Sequence, residues 1–210
     1  MGSGSDITSF IQNIEMYNHI ILFYDSYETR NRIVYNYLSD GLRQSKGIVY
    51  ICSEETPSQV KKSLKAHGVD VEPNLKSGNI VLHPYDKWYI ENGRVEPLRI
   101  ISHWNNELNR LSSMGLGMRA YGDVACFFTH DKVRELLRYE YSLHKVLTLP
   151  MDVICGYSLK TIVDKGYTDM IMPLVRAHGK AIFTAEGGSM VLEPQDVEES
   201  DLERLLDLEI

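Results

Sequence analysis

Residues 19–30 read HIILFYDSYETR. The apolar run Ile20 to Phe23 has the length of a buried strand, and the residues after Asp25 open a helix. In a nucleotide-binding α/β protein, this first strand-to-helix turn carries the phosphate loop, because backbone N–H groups at the helix start face the anion. Here the turn is Tyr24-Asp25-Ser26-Tyr27-Glu28-Thr29, with no glycine and no lysine. Tyrosine side chains keep the backbone amides from closing around a polyphosphate, and the carboxylates of Asp25 and Glu28 repel one. The stretch predicts the scaffold of a phosphate binder without its anion site.

Working outward, apolar runs and helical patterns alternate. A helix over 27–44 puts Ile33, Val34, Tyr37, Leu38 and Leu42 on one face, with Gly41 near its end. GIVYIC at 47–52 reads as a strand buried on both faces. Thr56 as N-cap and Pro57 at the first helical position start a helix that ends at His67-Gly68. Further strands are predicted at 19–24, 79–82, 118–121, 152–155 and 180–184. Further helices are predicted at 7–17, 97–113, 131–147 (capped by Asp131) and 158–177, where Pro173 kinks or restarts the last. Gly187-Gly188 suggests a hairpin into 190–192. The aromatic stretch 83–96, with Pro84, Tyr85, Trp88 and Tyr89, reads as a loop or lid, and 124–130 as an apolar connection. Strands separated by helices predict a three-layer α/β fold, a mainly parallel sheet with helices on both faces. Sites in such sheets form beyond the carboxyl ends of the strands.

The 210 residues are 43% hydrophobic and 24% charged, which suits one domain with a short appendage. The divisions are a leader over 1–14, one domain over 15–192, and an acidic tail over 193–210 with Leu202, Leu205 and Leu206 on a helical face. The leader begins Met1-Gly2-Ser3-Gly4-Ser5 and reads as flexible or as a fusion scar. The net charge of -7 argues against a general nucleic-acid or anionic-membrane surface. No apolar run approaches the roughly 20 residues of a membrane span. Cys52, Cys126 and Cys155 sit among apolar residues without zinc-type spacing, so buried thiols in a reduced, cytoplasmic protein are expected. No residue pattern specifies a metal or cofactor, and none is predicted.

Each early strand ends in polar chemistry: Tyr24 and Asp25, then Glu54 and Glu55, then Asp123, then Tyr157 after Gly156. Ser53 and Glu55 equally fit plain helix-capping roles. Arg119 lies inside a strand, where an unpaired guanidinium is costly. Glu140 falls on the inward stripe of its helix with Leu136, Leu137 and Leu143, and His144 lies one turn further on. Asp123 and Glu140 are the candidate partners of Arg119, and an Arg119–Glu140 pair is expected, either as a core ion pair or lining a cavity. His19 and His178 read as edge histidines rather than ligands, and Cys155 as an inert thiol.

HIILFYD at 19–25, YICSEET at 50–56, MRAYGD at 118–123, YEYSLH at 139–144, ICGYSL at 154–159 and RAHGKAIF at 176–183 follow one another in the order seen in MEDS domains. The chain resembles this family of methanogen and methylotroph sensory domains over roughly residues 15–192. The resemblance implies a RecA/KaiC-like core that has lost its phosphate loop. It also implies a sensor for a small ligand, a hydrocarbon derivative, that signals through an attached or separate partner protein. The positions it carries over are His19, Tyr24, Asp25, Glu54, Arg119, Asp123, Glu140, Cys155, Tyr157 and His178. No DNA-binding or kinase domain is recognised beside it.

Three functions follow. The first is a non-catalytic ligand sensor with a strand-end pocket lined by Tyr24, Glu54, Arg119, Asp123 and Tyr157. The second is a phosphohydrolase or ATPase-like enzyme that holds a divalent cation on Glu54, Glu55 and Asp123. The third is an interaction subunit that forms a homo-oligomer through the core and a helix at 196–208.

Overall fold

The computed structural model describes residues 7–12, 14, 18–146 and 151–193. Its centre is a seven-stranded sheet of order β3-β2-β4-β5-β1-β6-β7. The strands are β1 (His19–Tyr24), β2 (Lys46–Cys52), β3 (Ile80–Pro84), β4 (Gly117–Asp123), β5 (Met151–Ser158), β6 (Lys180–Ala185) and β7 (Gly188–Leu192). β1 to β6 run parallel, and only the β6–β7 hairpin is antiparallel. The three-layer α/β expectation holds.

One face is covered by α1 (Ile7–Gln12), α2 (Tyr27–Arg43), α3 (Pro57–Ala66) and α4 (Val71–Ser77). The other is covered by α5 (Tyr85–Trp88), α6 (Pro97–Ser113), α7 (Ala125–Thr129), α8 (Val133–Val146), α9 (Leu159–Asp164) and α10 (Ile171–Arg176). Strand side chains alternate between these layers. In β1, Ile20, Leu22 and Tyr24 pack toward α2, while Ile21 and Phe23 pack toward the α6–α8 side. β1 and β5 are almost wholly buried, so both read as apolar runs without alternation.

The local signals explain the helix starts. Ser26 accepts from Thr29 N to cap α2. Thr56 and Gln59 form a capping box in front of Pro57. Ser158 caps α9.

Several expectations need correction. The stretch 83–96 is not a lid: Trp88, Tyr89 and Ile90 are buried, and the Trp88 ring meets Trp104 edge-on at 4.7 Å. Its aromatic residues are core payload, each able to hide roughly 150–250 Å². The 124–130 connection contains α7, and α4 went unpredicted. Asp131 does not cap α8. It adopts a left-handed backbone (φ 54), and Lys132 O accepts the first helical bond, from Leu136 N. The tail helix and the end of the predicted 7–17 helix lie outside the described residues.

Candidate functional site

At the carboxyl edge, α2 leaves β1 over one face while α7 and α9 leave β4 and β5 over the other, which opens a crevice. In that crevice the first turn of α2 delivers Arg30 inward. Its guanidinium, 1% exposed, donates from Nη1 to Glu54 Oε2 (3.3 Å) and from Nη2 to Glu55 Oε2 (2.5 Å). Tyr24 donates its hydroxyl to Glu54 (2.5 Å), and Tyr35 and Tyr50 donate theirs to Glu55 (2.8 and 3.0 Å). The ring of Tyr27 lies 5.0 Å from the Arg30 carbon centre. Asp123 ties the layer together by accepting from the backbone N–H groups of Ser53, Glu54 and Ala125.

These contacts form a closed network in which every charge has a partner. Burial, then Tyr121, Asp123 and Glu54, pushes the Tyr24 phenol far above its ordinary pKa, so it stays protonated and donates to Glu54. Burial, then the charge of Glu54, raises Asp123 to about 7 against the pull of Arg30. The carboxylates that the enzymatic reading would assign to a cation are engaged by Arg30, tyrosines and backbone N–H groups. Asp25 stays outside this network. It accepts from Thr29 Oγ1 (2.7 Å) and from Glu186 N (3.1 Å), which tethers the turn to the β6–β7 hairpin and lowers its pKa, chiefly through Thr29.

Arg119 is nowhere near this crevice and does not meet Glu140. It sits near the amino end of β4, on the α2 face. There it donates to Tyr37 O (2.8 Å) and Gln44 Oε1 (3.1 Å), with Tyr37's ring 4.8 Å away. It thus binds a mid-helix carbonyl and the side chain of the C-cap residue of α2. Gly41 makes this approach possible, since a Cβ there would lie 2.7 Å from Arg119 Cδ.

Glu140 reaches the sheet from α8, on the opposite face. Tyr157 donates to its Oε1 (2.6 Å), while its Oε2 faces His19 Nε2 (3.1 Å), His178 Nε2 (3.6 Å) and Cys155 Sγ (3.9 Å). His19 is therefore not a solvent-edge residue. The two imidazole rings lie 3.9 Å apart, and all four groups are at most 3% exposed. Burial lowers both histidines to about 3 and raises Glu140. It also raises Cys155 well above the usual thiol value, with Glu140 adding to the rise.

The eight predicted positions therefore separate. Tyr24, Glu54 and Asp123 share the crevice, Asp25 forms its rim, Glu140, Cys155 and Tyr157 form a buried cluster, and Arg119 packs against α2. Arg30 was missed, although the stripe Ile33, Val34 and Tyr37 points back to it at helical spacing.

A mainly parallel sheet with a filled phosphate turn defines a RecA-type α/β scaffold. Consistent with this, the crystal structure of a KaiC-like protein from the hyperthermophilic archaeon Pyrococcus horikoshii OT3 is similar, with a TM-score of 0.59 at 12% identity. The match covers 82% of this chain and 73% of that one. The family model for MEDS, the methanogen/methylotroph, DcmR sensory domain, matches residues 18–178. The chain belongs to the MEDS family of sensory domains. No curated protein matches it. Among the described residues no helix is long and apolar enough to cross a membrane.

Proposed function

We propose that this sensory domain binds a small, largely apolar organic ligand at the carboxyl ends of the strands, without nucleotide turnover, and passes occupancy to a partner protein. One observation carries the reading. The place of a phosphate cradle holds the Tyr24–Arg30–Glu54–Glu55 network, in which one guanidinium serves two carboxylates, so an incoming anion meets net negative charge and an Arg30 already engaged.

Beside it, the β6–β7 hairpin and the start of α9 shape a concavity of about 440 Å³ lined by Leu159, Phe183, Thr184 and Met190. That size and apolar lining suit a hydrocarbon derivative. Phe183 stacks on Phe23 at 4.8 Å, and Phe23 touches Tyr157, so occupancy reaches the interior.

The test is calorimetry and thermal melting with MgATP and with short-chain alcohols, amines, thiols and halides. MgATP is expected to give no saturable binding. At least one organic class should stabilise wild type but not Met190→Trp, which fills the concavity. Saturable MgATP binding refutes the reading.

A further inference from the structure

The His19, Glu140, Cys155 and His178 cluster has no role in the strand-end reading and does not depend on it. We propose that these four side chains form a four-coordinate site for a zinc-type divalent cation. They come from β1, α8, β5 and the turn after α10, and their ligand atoms all lie within 4.8 Å of one another.

The spacing is that of a coordination shell. Bonds of 2.0–2.3 Å to nitrogen, oxygen and sulfur place tetrahedral ligands roughly 3.3–3.8 Å apart. Four of the six edges are 3.1 Å (His19 Nε2 to Glu140 Oε2), 3.5 Å (Cys155 Sγ to His19 Nε2), 3.6 Å (His178 Nε2 to Glu140 Oε2) and 3.9 Å (Cys155 Sγ to Glu140 Oε2), and all six lie within 4.8 Å. Small side-chain shifts bring all four to one ion.

The surroundings orient the donors. His178 Nδ1–H donates to Leu174 O (2.7 Å), which fixes the tautomer that leaves Nε2 as a lone pair. That buried Nε2 has no hydrogen-bond partner and points into the cluster. The Tyr157 hydroxyl holds Glu140 Oε1, leaving Oε2 for the ion. A carboxylic acid, a thiol and two imidazoles in an apolar core are costly without such a partner. Two imidazoles with one thiolate and one carboxylate suit zinc and its neighbours rather than magnesium or calcium. With four protein ligands and no solvent exposure, the site is closed and non-hydrolytic. Binding sends the Cys155 thiol proton and the Glu140 carboxyl proton to solvent and staples α8 and the end of α10 to the sheet.

The donors are buried, so loading requires local opening. The full chain is therefore stripped with chelator, unfolded and refolded with Zn2+ or Co2+. One equivalent should bind and raise the melting temperature. The Co2+ form should show tetrahedral visible bands and a sulfur-to-cobalt charge-transfer band. That band should vanish in Cys155→Ser and persist in the Cys52→Ser/Cys126→Ser variant, whose only thiol is Cys155. Tyr157→Phe, which touches no metal, should weaken Zn2+ binding about 10–100-fold. Substoichiometric binding overturns the proposal, as does a charge-transfer band that survives Cys155→Ser. Where Cys155→Ser fails to fold, loss of the band from the Cys52→Ser/Cys126→Ser variant overturns it alone.

Discussion

Replacing Arg30 with methionine keeps most of the aliphatic volume and removes the guanidinium that joins Glu54 to Glu55. In a solvated network the loss would be about 0–1 kcal/mol, the range of surface pairs. Here Arg30 is 1% exposed and both carboxylates are 13% exposed, so the variant leaves nearly buried negative charge without its counter-ion. Breaking such a pair costs about 3–5 kcal/mol. In a chain of this size that corresponds to a fall of roughly 6–20 °C in melting temperature. A pH signature separates this cause from lost packing. Arg30 holds down Asp123, whose folded pKa of about 7 already exceeds its unfolded 3.8. Without Arg30 it rises further, so the native variant binds protons that the unfolded chain releases. The stability deficit should therefore be largest near pH 8 and shrink toward pH 5. Urea denaturation across that range measures it. A deficit under about 1 kcal/mol, or one independent of pH, refutes a closed charge network.

Gly156→Ala would put a Cβ 2.0 Å from the Tyr121 hydroxyl oxygen, so overpacking of about 1–3 kcal/mol is expected. Tyr121→Phe should rescue part of it, and strictly additive losses would deny the contact. Trp88→Ala should cost about 3–5 kcal/mol in chemical denaturation, as a core truncation does, whereas a neutral result would restore the lid. Carboxyl NMR should find Asp123 titrating near 7 in the native protein. Because that value is raised, its ionisation lowers stability as pH climbs from about 4 to 7, the opposite of an ordinary paired carboxylate. A midpoint below 5 would sink that assignment.

The local code was enough for much of this protein. The β1 run, the Ser26 and Thr56 caps and the turn without glycine or lysine are each properties of a few adjacent residues. They specified an α/β sheet and a disabled phosphate turn before any contact was known. Glu54 and Asp123 were also legible as crevice neighbours of Tyr24, because all three fall at strand ends and strand ends share an edge.

Partnership was decided only in three dimensions. Arg119 and Glu140 are both buried charges, yet the sheet lies between them, since Arg119 projects toward α2 while α8 covers the other face. Which face a strand residue takes, and which strands become neighbours, depends on crossovers that no short window encodes. For the same reason β1, α8, β5 and the end of α10 bring His19, Glu140, Cys155 and His178 within 4.8 Å with no metal-ligand spacing in the sequence to announce it.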